Sequence, residues 1–238
     1  MEDCPWKEPE VYRAESREVP QSLKSKLSSW VEGFIDKSEA DARLLLCQRW
    51  ESIQHQELKS LASVLSEFSL AGISEFEEGG SAKFAKDDDQ FFIPSPLPSE
   101  VIDSKLDVAG LSNVRGLRDF LVHFGGLAEA IDCAGSFRYS EEWPIWGGDP
   151  NVGNYGFPWN ENTQGFQDWV GSLMFYHAAN GCQVLVRQDG EVAWNVMQER
   201  RIVKIASSLL EFVSQYVEHW KLDGFHRYDP YSEPHRID

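Results

Sequence analysis

Residues 99–238 predict an α+β fold, an antiparallel sheet flanked by helices, and three observations carry that expectation. First, Leu173-Met174-Phe175-Tyr176-His177 is a short apolar run closed by the turn pair Asn180-Gly181. Second, Gln183–Gln188 and Glu191–Val196 are β-rich segments separated by Asp189-Gly190. An Asp-Gly pair in that position signals a hairpin, because a tight type I′ turn needs φ > 0 at both central residues. A two-residue loop pairs Leu185 with Trp194 and Arg187 with Val192, and puts Leu185, Val192, Trp194 and Val196 on one face. Third, Ile202, Ala206, Leu209, Leu210, Val213, Val217 and Trp220 recur at helical spacing. Lys204, Ser207, Glu211, Gln215 and Glu218 fall on the opposite side of that helix. A helix with such a face needs a sheet to cover.

A second covering helix is expected within 112–131, centred on ~113–124. Ser112 or Asn113 would cap it, Val114, Leu117, Phe120, Leu121 and Phe124 form its apolar stripe, and Gly125-Gly126 ends it. His123 reads as a packed or surface histidine. Upstream, residues 1–71 form an N-terminal helical extension. Residues 1–20 are polar, with prolines at 5, 9 and 20; a helical pattern then runs through Leu23, Leu27, Trp30, Val31 and Phe34. Another starts at Ser38-Glu39, with Ser38 and Asp41 in capping spacing, and passes through Leu44, Leu45, Trp50, Ile53, Leu58, Leu61, Leu65 and Phe68 to a stop at Gly72. Its length calls for a bend, placed at Ile53-Gln54-His55-Gln56. Residues 72–98 are acidic and proline-rich and are expected to form a linker. Asp87-Asp88-Asp89 lacks the alternating spacing of a calcium loop.

The segment Trp143–Trp169 has neither helical nor strand period, yet seven of its 27 residues are aromatic. That content argues against disorder, and long loops in compact domains carry function. Some rings pack inward and others meet a ligand. The expected partner-contacting patch comprises Trp146, Asp149, Tyr155, Trp159, Glu161, Asp168 and Trp169.

Charge bounds the partners. The chain has 39 acidic and 22 basic residues, a net charge of −17. The surplus is spread, −8 over residues 1–95 and −9 over 96–238. No net positive field is present to grip phosphates, which disfavours nucleic acid. A basic protein would be steered in, although acidity also serves solubility. The 42% hydrophobic content and nine tryptophans supply a core. Cysteines stand at 4, 47, 133 and 182, with no CxxC and no close pair, which argues against zinc and against a compact disulfide framework. Met1-Glu2-Asp3 does not open a secretion signal, and no apolar run approaches the ~20 residues of a membrane span. A reduced, cytoplasmic setting is expected, with no cofactor.

Catalytic patterns are missing: Gly-x-Ser-x-Gly, the P-loop and His-Glu-x-x-His do not occur. His219, His226 and His235 are too widely spaced to read as a metal site. Glu141-Glu142 reads as a solvated turn. Cys182 reads as a buried small hydrophobe, with no sequence-local base to make it a nucleophile.

The order Asn-Gly-x-strand, then Asp189-Gly190-Glu191-Val192 leading to Trp194, then Ser208-Leu209-Leu210-Glu211-Phe212-Val213 resembles the C-terminal half of the SUKH superfamily. That superfamily holds bacterial toxin-immunity proteins and fungal proteins that coordinate cell-wall synthesis. Leu117–Leu127, with its Gly125-Gly126, resembles the helix and Gly-rich turn that open the domain. The similarity spans roughly residues 95–222. One departure is Cys182, where the family often has Asp after the Asn-Gly. The resemblance implies a non-enzymatic, protein-binding domain, an immunity-like protein that neutralises a toxin. An intracellular scaffold whose N-terminal helices recruit further proteins is the alternative. A carbohydrate-binding module using Trp146, Tyr155, Trp159 and Trp169 as stacking platforms is a third.

Overall fold

The computed structural model describes residues 10–75, 79–129, 136–137, 162–178 and 182–223. It is mixed α+β, as the periodicities predict. The strands are β1 (Val11–Tyr12), β2 (Ser69–Ser74), β3 (Ser81–Lys86), β4 (Asp89–Pro94), β5 (Ala128–Glu129), β6 (Ser136–Phe137), β7 (Leu173–His177), β8 (Gln183–Val186), β9 (Val192–Val196) and β10 (Arg201–Ala206). The helices are α1 (Gln21–Lys24), α2 (Ser29–Glu32), α3 (Glu39–Trp50), α4 (Gln56–Leu65), α5 (Ser99–Ala109), α6 (Leu117–Phe124) and α7 (Leu209–Asp223). Each strand pairs antiparallel with its neighbour in sequence, so the sheet is a meander from β1 to β10. The two-residue strands β5 and β6 join a four-stranded half, β1–β4, to a second, β7–β10.

Helices cover one face of this sheet, here called the inner face. Phe84 and Phe91 stack across β3 and β4, and Phe175 on β7 meets Phe120 of α6 edge-on at 4.7 Å. Phe212 and Tyr216 of α7 complete the aromatic layer over Phe175 and Tyr176. Leu58, Leu61 and Leu65 of α4 and Leu209 and Phe212 of α7 are all fully buried, and α4 packs along α7. Trp220, near the end of α7, stacks on Phe68 just ahead of β2. One apolar cluster therefore runs from Val19 to Trp220 through both halves.

Four expectations need correction. Residues 72–98 are not a linker: they hold the end of β2, all of β3 and all of β4. The carboxylates Asp87 and Asp88 form the β3–β4 turn, with Asp87 at a left-handed φ of 53°. Small and acidic residues here serve turns, while Phe84, Phe91 and Ile93 between them fill the core. The hairpin register is one residue away from the expected one, because Val184 faces Trp194 and Leu185 faces Ala193. Arg187 N–H donates to Glu191 O at 2.9 Å, so three residues, Gln188 to Gly190, form the loop. Gly190 at φ 89° takes the left-handed position such a loop requires. The final helix starts at Leu209 rather than near 203, since the β-branched run Ile202-Val203-Lys204-Ile205 pairs with β9 instead. Ser208 Oγ accepts the Glu211 N–H at 3.2 Å and the Glu211 carboxylate accepts the Ser207 N–H at 2.7 Å, which fixes the start. The helix expected at 113–124 begins at Leu117, after a left-handed Gly116.

The N-terminal reading fares better. The long helical pattern breaks where expected, α3 ending at Trp50 and α4 starting at Gln56, although the chain enters β2 before Gly72. Ser38 caps α3: its Oγ accepts the Asp41 N–H at 3.1 Å and donates to Asp41 Oδ2 at 2.7 Å. Replacing Ser38 by Ala is expected to cost about 1 kcal/mol, a melting shift of roughly 2–4 °C by calorimetry. No helix among the described residues is long and apolar enough to cross a membrane.

Candidate functional site

Opposite the helices, β7–β10 present an outer face. Alternation along the strands puts Met174, Leu185, Ala193 and Ile202 there. A single 3₁₀ turn, Phe166–Trp169, lays Phe166 and Trp169 over these residues. The turn is tied down by Gln164, whose N–H donates to Arg200 O at 2.8 Å and whose carbonyl accepts the Ile202 N–H at 2.9 Å. Charged side chains rim this small second core. The Arg187 guanidinium sits 5.2 Å from the Trp169 ring centre and reaches Glu191 at 2.5 Å, while Nε donates to Asp189 Oδ2 at 3.0 Å. That bond, together with the Glu191 N–H, holds the Asp189 carboxyl below its ordinary pKa. Lys204 pairs with Glu191 from β10. Asp168, exposed on the 3₁₀ turn, adds a carboxylate within electrostatic reach of Arg187. Three carboxylates thus face two cations around Trp169. Beyond the apolar patch, the outer face turns polar: Asn195 Nδ2 donates to Gln183 Oε1 at 2.9 Å, both side chains being buried, and His177 pairs with Gln183 in register.

Of the residues expected in the partner patch, Trp146, Asp149, Tyr155, Trp159 and Glu161 lie outside the described residues. Asp168 is exposed on the 3₁₀ turn. Trp169 is not presented outward: it is 6% exposed, with its ring between Arg187 and the outer-face core. The turn Gly165-Phe166 aims it inward, because Met174, Leu185 and Ala193 would otherwise lie open to water. Cys182 is buried in the inner core, and its thiol donates to Gln198 Oε1 at 3.2 Å.

A second polar constellation joins the α3–α4 connection to α6. Asp119 Oδ2 accepts the Gln54 N–H at 3.0 Å and His55 Nδ1–H at 2.9 Å. His123, one turn further along α6, donates Nδ1–H to the Arg49 carbonyl at 2.6 Å. Its Nε2 faces both Ser52 Oγ and Asp119 Oδ1 at 3.3 Å. Arg49 returns the contact, Nε donating to His123 O at 2.8 Å and Nη1 to Pro94 O at 2.5 Å. Burial pushes the His123 pKa down against the pull of the Arg49 carbonyl and Asp119. Burial pushes Asp119 up, but the bonds from His55 and Gln54 outweigh it and leave the carboxyl below its ordinary value.

Serine, histidine and aspartate meet here, yet the wiring is not that of a hydrolytic triad. A triad needs the acid on one ring nitrogen and the nucleophile on the other. Here Ser52 and Asp119 approach the same Nε2, and Nδ1 is committed to a carbonyl. The cluster fastens one layer to another. Sequence reasoning placed His55 at the bend and His123 on α6 without joining them. The i, i+4 spacing of Asp119 and His123 was the available signal. No group of three or more His, Cys, Asp or Glu side chains among the described residues is placed to hold a metal ion.

No protein-family model matches the chain, and no curated protein or solved structure resembles it significantly.

Proposed function

We propose that the chain is a non-enzymatic protein-binding domain of the SUKH type that holds a basic protein partner, an immunity-like protein neutralising a toxin. The observation that carries this reading is the resemblance of residues 95–222 to that superfamily, and the surplus of 17 negative charges agrees with a basic partner. Complementary charge speeds encounter and discourages wrong partners. The elements that bear the resemblance support it: α6 with its Gly125-Gly126 end, then β7, β8, β9 and α7, follow in the implied order. Asp168 on the rim of the outer face is the described residue best placed for such contact.

The test is affinity purification from the native host with mass spectrometry, followed by reconstitution with the recovered protein. One basic partner at stoichiometric yield is expected, and co-expression should relieve any growth inhibition that partner causes. Its association rate should fall several-fold as salt rises from about 50 to 500 mM, because steering is screened over a Debye length. A rate that ignores salt removes the electrostatic part of the proposal. One observation favours the scaffold alternative: Leu44 on α3 is 56% exposed, in an open depression with Ala40, Arg43 and Cys47. Recovery of several cellular proteins, lost on Leu44→Glu, would favour it over a single toxin.

A further inference from the structure

We propose that the His55–Asp119–His123 cluster is an acid-sensitive clasp, holding the α3–α4 connection (residues 51–55) on α6 at neutral pH and releasing it in mild acid. The geometry carries this. His123 is 5% exposed, and the charged groups facing it are Asp119 and Arg118 from α6 and Arg49 from α3. From the connection itself, His55 reaches the same Asp119 carboxylate. The end of β4 supplies only the uncharged Pro94 carbonyl, to Arg49. Arg118 is already engaged by Asp103 in a two-bond pair. With the His123 imidazole neutral, Arg49 and Asp119 set one positive charge beside one negative around it. Protonating His123 adds a positive charge to a partly dehydrated site that already holds the Arg49 guanidinium.

The tautomers sharpen the point. The Nδ1–H of His123 is spent on the Arg49 carbonyl, so its bare Nε2 is where a proton arrives. Asp119 is shared there with His55 and two backbone N–H groups of the connection. The folded-state pKa of His123 lies below its ordinary value of 6.5. An opened connection therefore takes up the proton first: closure is complete above about pH 6.5 and weakens as pH falls below it. Asp119, also held below its ordinary 3.8, adds a second loss only in stronger acid. The opening is local, because Leu58, Leu61 and Leu65 keep α4 in the core.

Hydrogen exchange on the full chain at pH 7.5 and 5.5, corrected for intrinsic rates, tests the clasp. Peptides spanning 51–57 should lose protection several-fold, up to the roughly tenfold limit for one histidine of ordinary pKa carried to pH 5.5, while 209–223 stays unchanged. His123→Gln, neutral at every pH, should reduce that loss to under twofold. If this variant does not fold, the His123 ring is titrated by NMR in the unaltered chain, and its midpoint must coincide with the loss of protection. Unchanged protection at 51–57, an equal loss in α7, the same loss in His123→Gln, or a non-coincident midpoint would each overturn the proposal.

Discussion

Trp194→Ala is expected to lower stability by about 3–5 kcal/mol, a melting shift of roughly 6–20 °C in a chain of this size. Trp194 is 1% exposed at the centre of β9, on the face that α6 and α7 cover. Removing the indole leaves a cavity in a close-packed core that the surrounding side chains only partly fill. The same strand pair offers a test of register. Leu185 is fully buried but belongs to the outer-face cluster with Trp169. In a double-mutant cycle, Leu185→Ala should couple to Trp169→Ala by about 0.5–3 kcal/mol and add independently to Trp194→Ala. The two-residue-loop register predicts the reverse coupling. Thermal or denaturant unfolding of the three single and two double variants decides between them.

Gly116→Ala is expected to cost about 2–4 kcal/mol, well beyond what one methyl on a surface would do. Gly116 sits at φ 82°, directly before α6, where an L side chain is strained. An added Cβ would also lie 2.5 Å from Cδ2 of Leu210, and Leu210 is itself buried in the first turn of α7. This glycine sets how closely the two helices over the sheet approach. Leu210→Ala in the same background should recover part of the loss by vacating the space, whereas backbone strain alone would leave the loss unrelieved.

The parts of this fold legible in sequence are those with strong local chemistry. Ser38 and Asp41 announced α3, Gly125 ended α6, and Leu173–His177 is the strand β7 that its apolar run predicted. Asp189-Gly190 announced a hairpin but not its loop length, because Gln188 carries no turn signature and joins the loop through pairing of Arg187 with Glu191. That single residue decides which face Leu185 occupies. Ile202 to Ala206 satisfies a helical period and a strand alternation alike, and pairing with β9 decided the matter. In residues 72–98, glycine and aspartate turns concealed three strand segments whose partners follow immediately in the chain. Within the candidate site, an aromatic among turn residues gave no hint of direction. Trp169 points inward because of the apolar outer face beneath it, a property of four strands together. The polar cluster was less legible still, because Asp119 and His55 stand far apart in sequence and meet only through docking of α6.

The meander has a bearing on how the chain is made. Every strand after β1 pairs with one already synthesised, so the sheet can grow in step with translation. The exception is α4, whose buried Leu58, Leu61 and Leu65 lie along α7, and α7 begins about 140 residues after α4 ends. At roughly 5–20 residues per second, the ribosome leaves that leucine strip without its natural cover for about 7–30 s. A chain cut before Leu209 would lack that cover permanently, and such a fragment is expected to aggregate or to be held by chaperones rather than to fold as a smaller version of the protein.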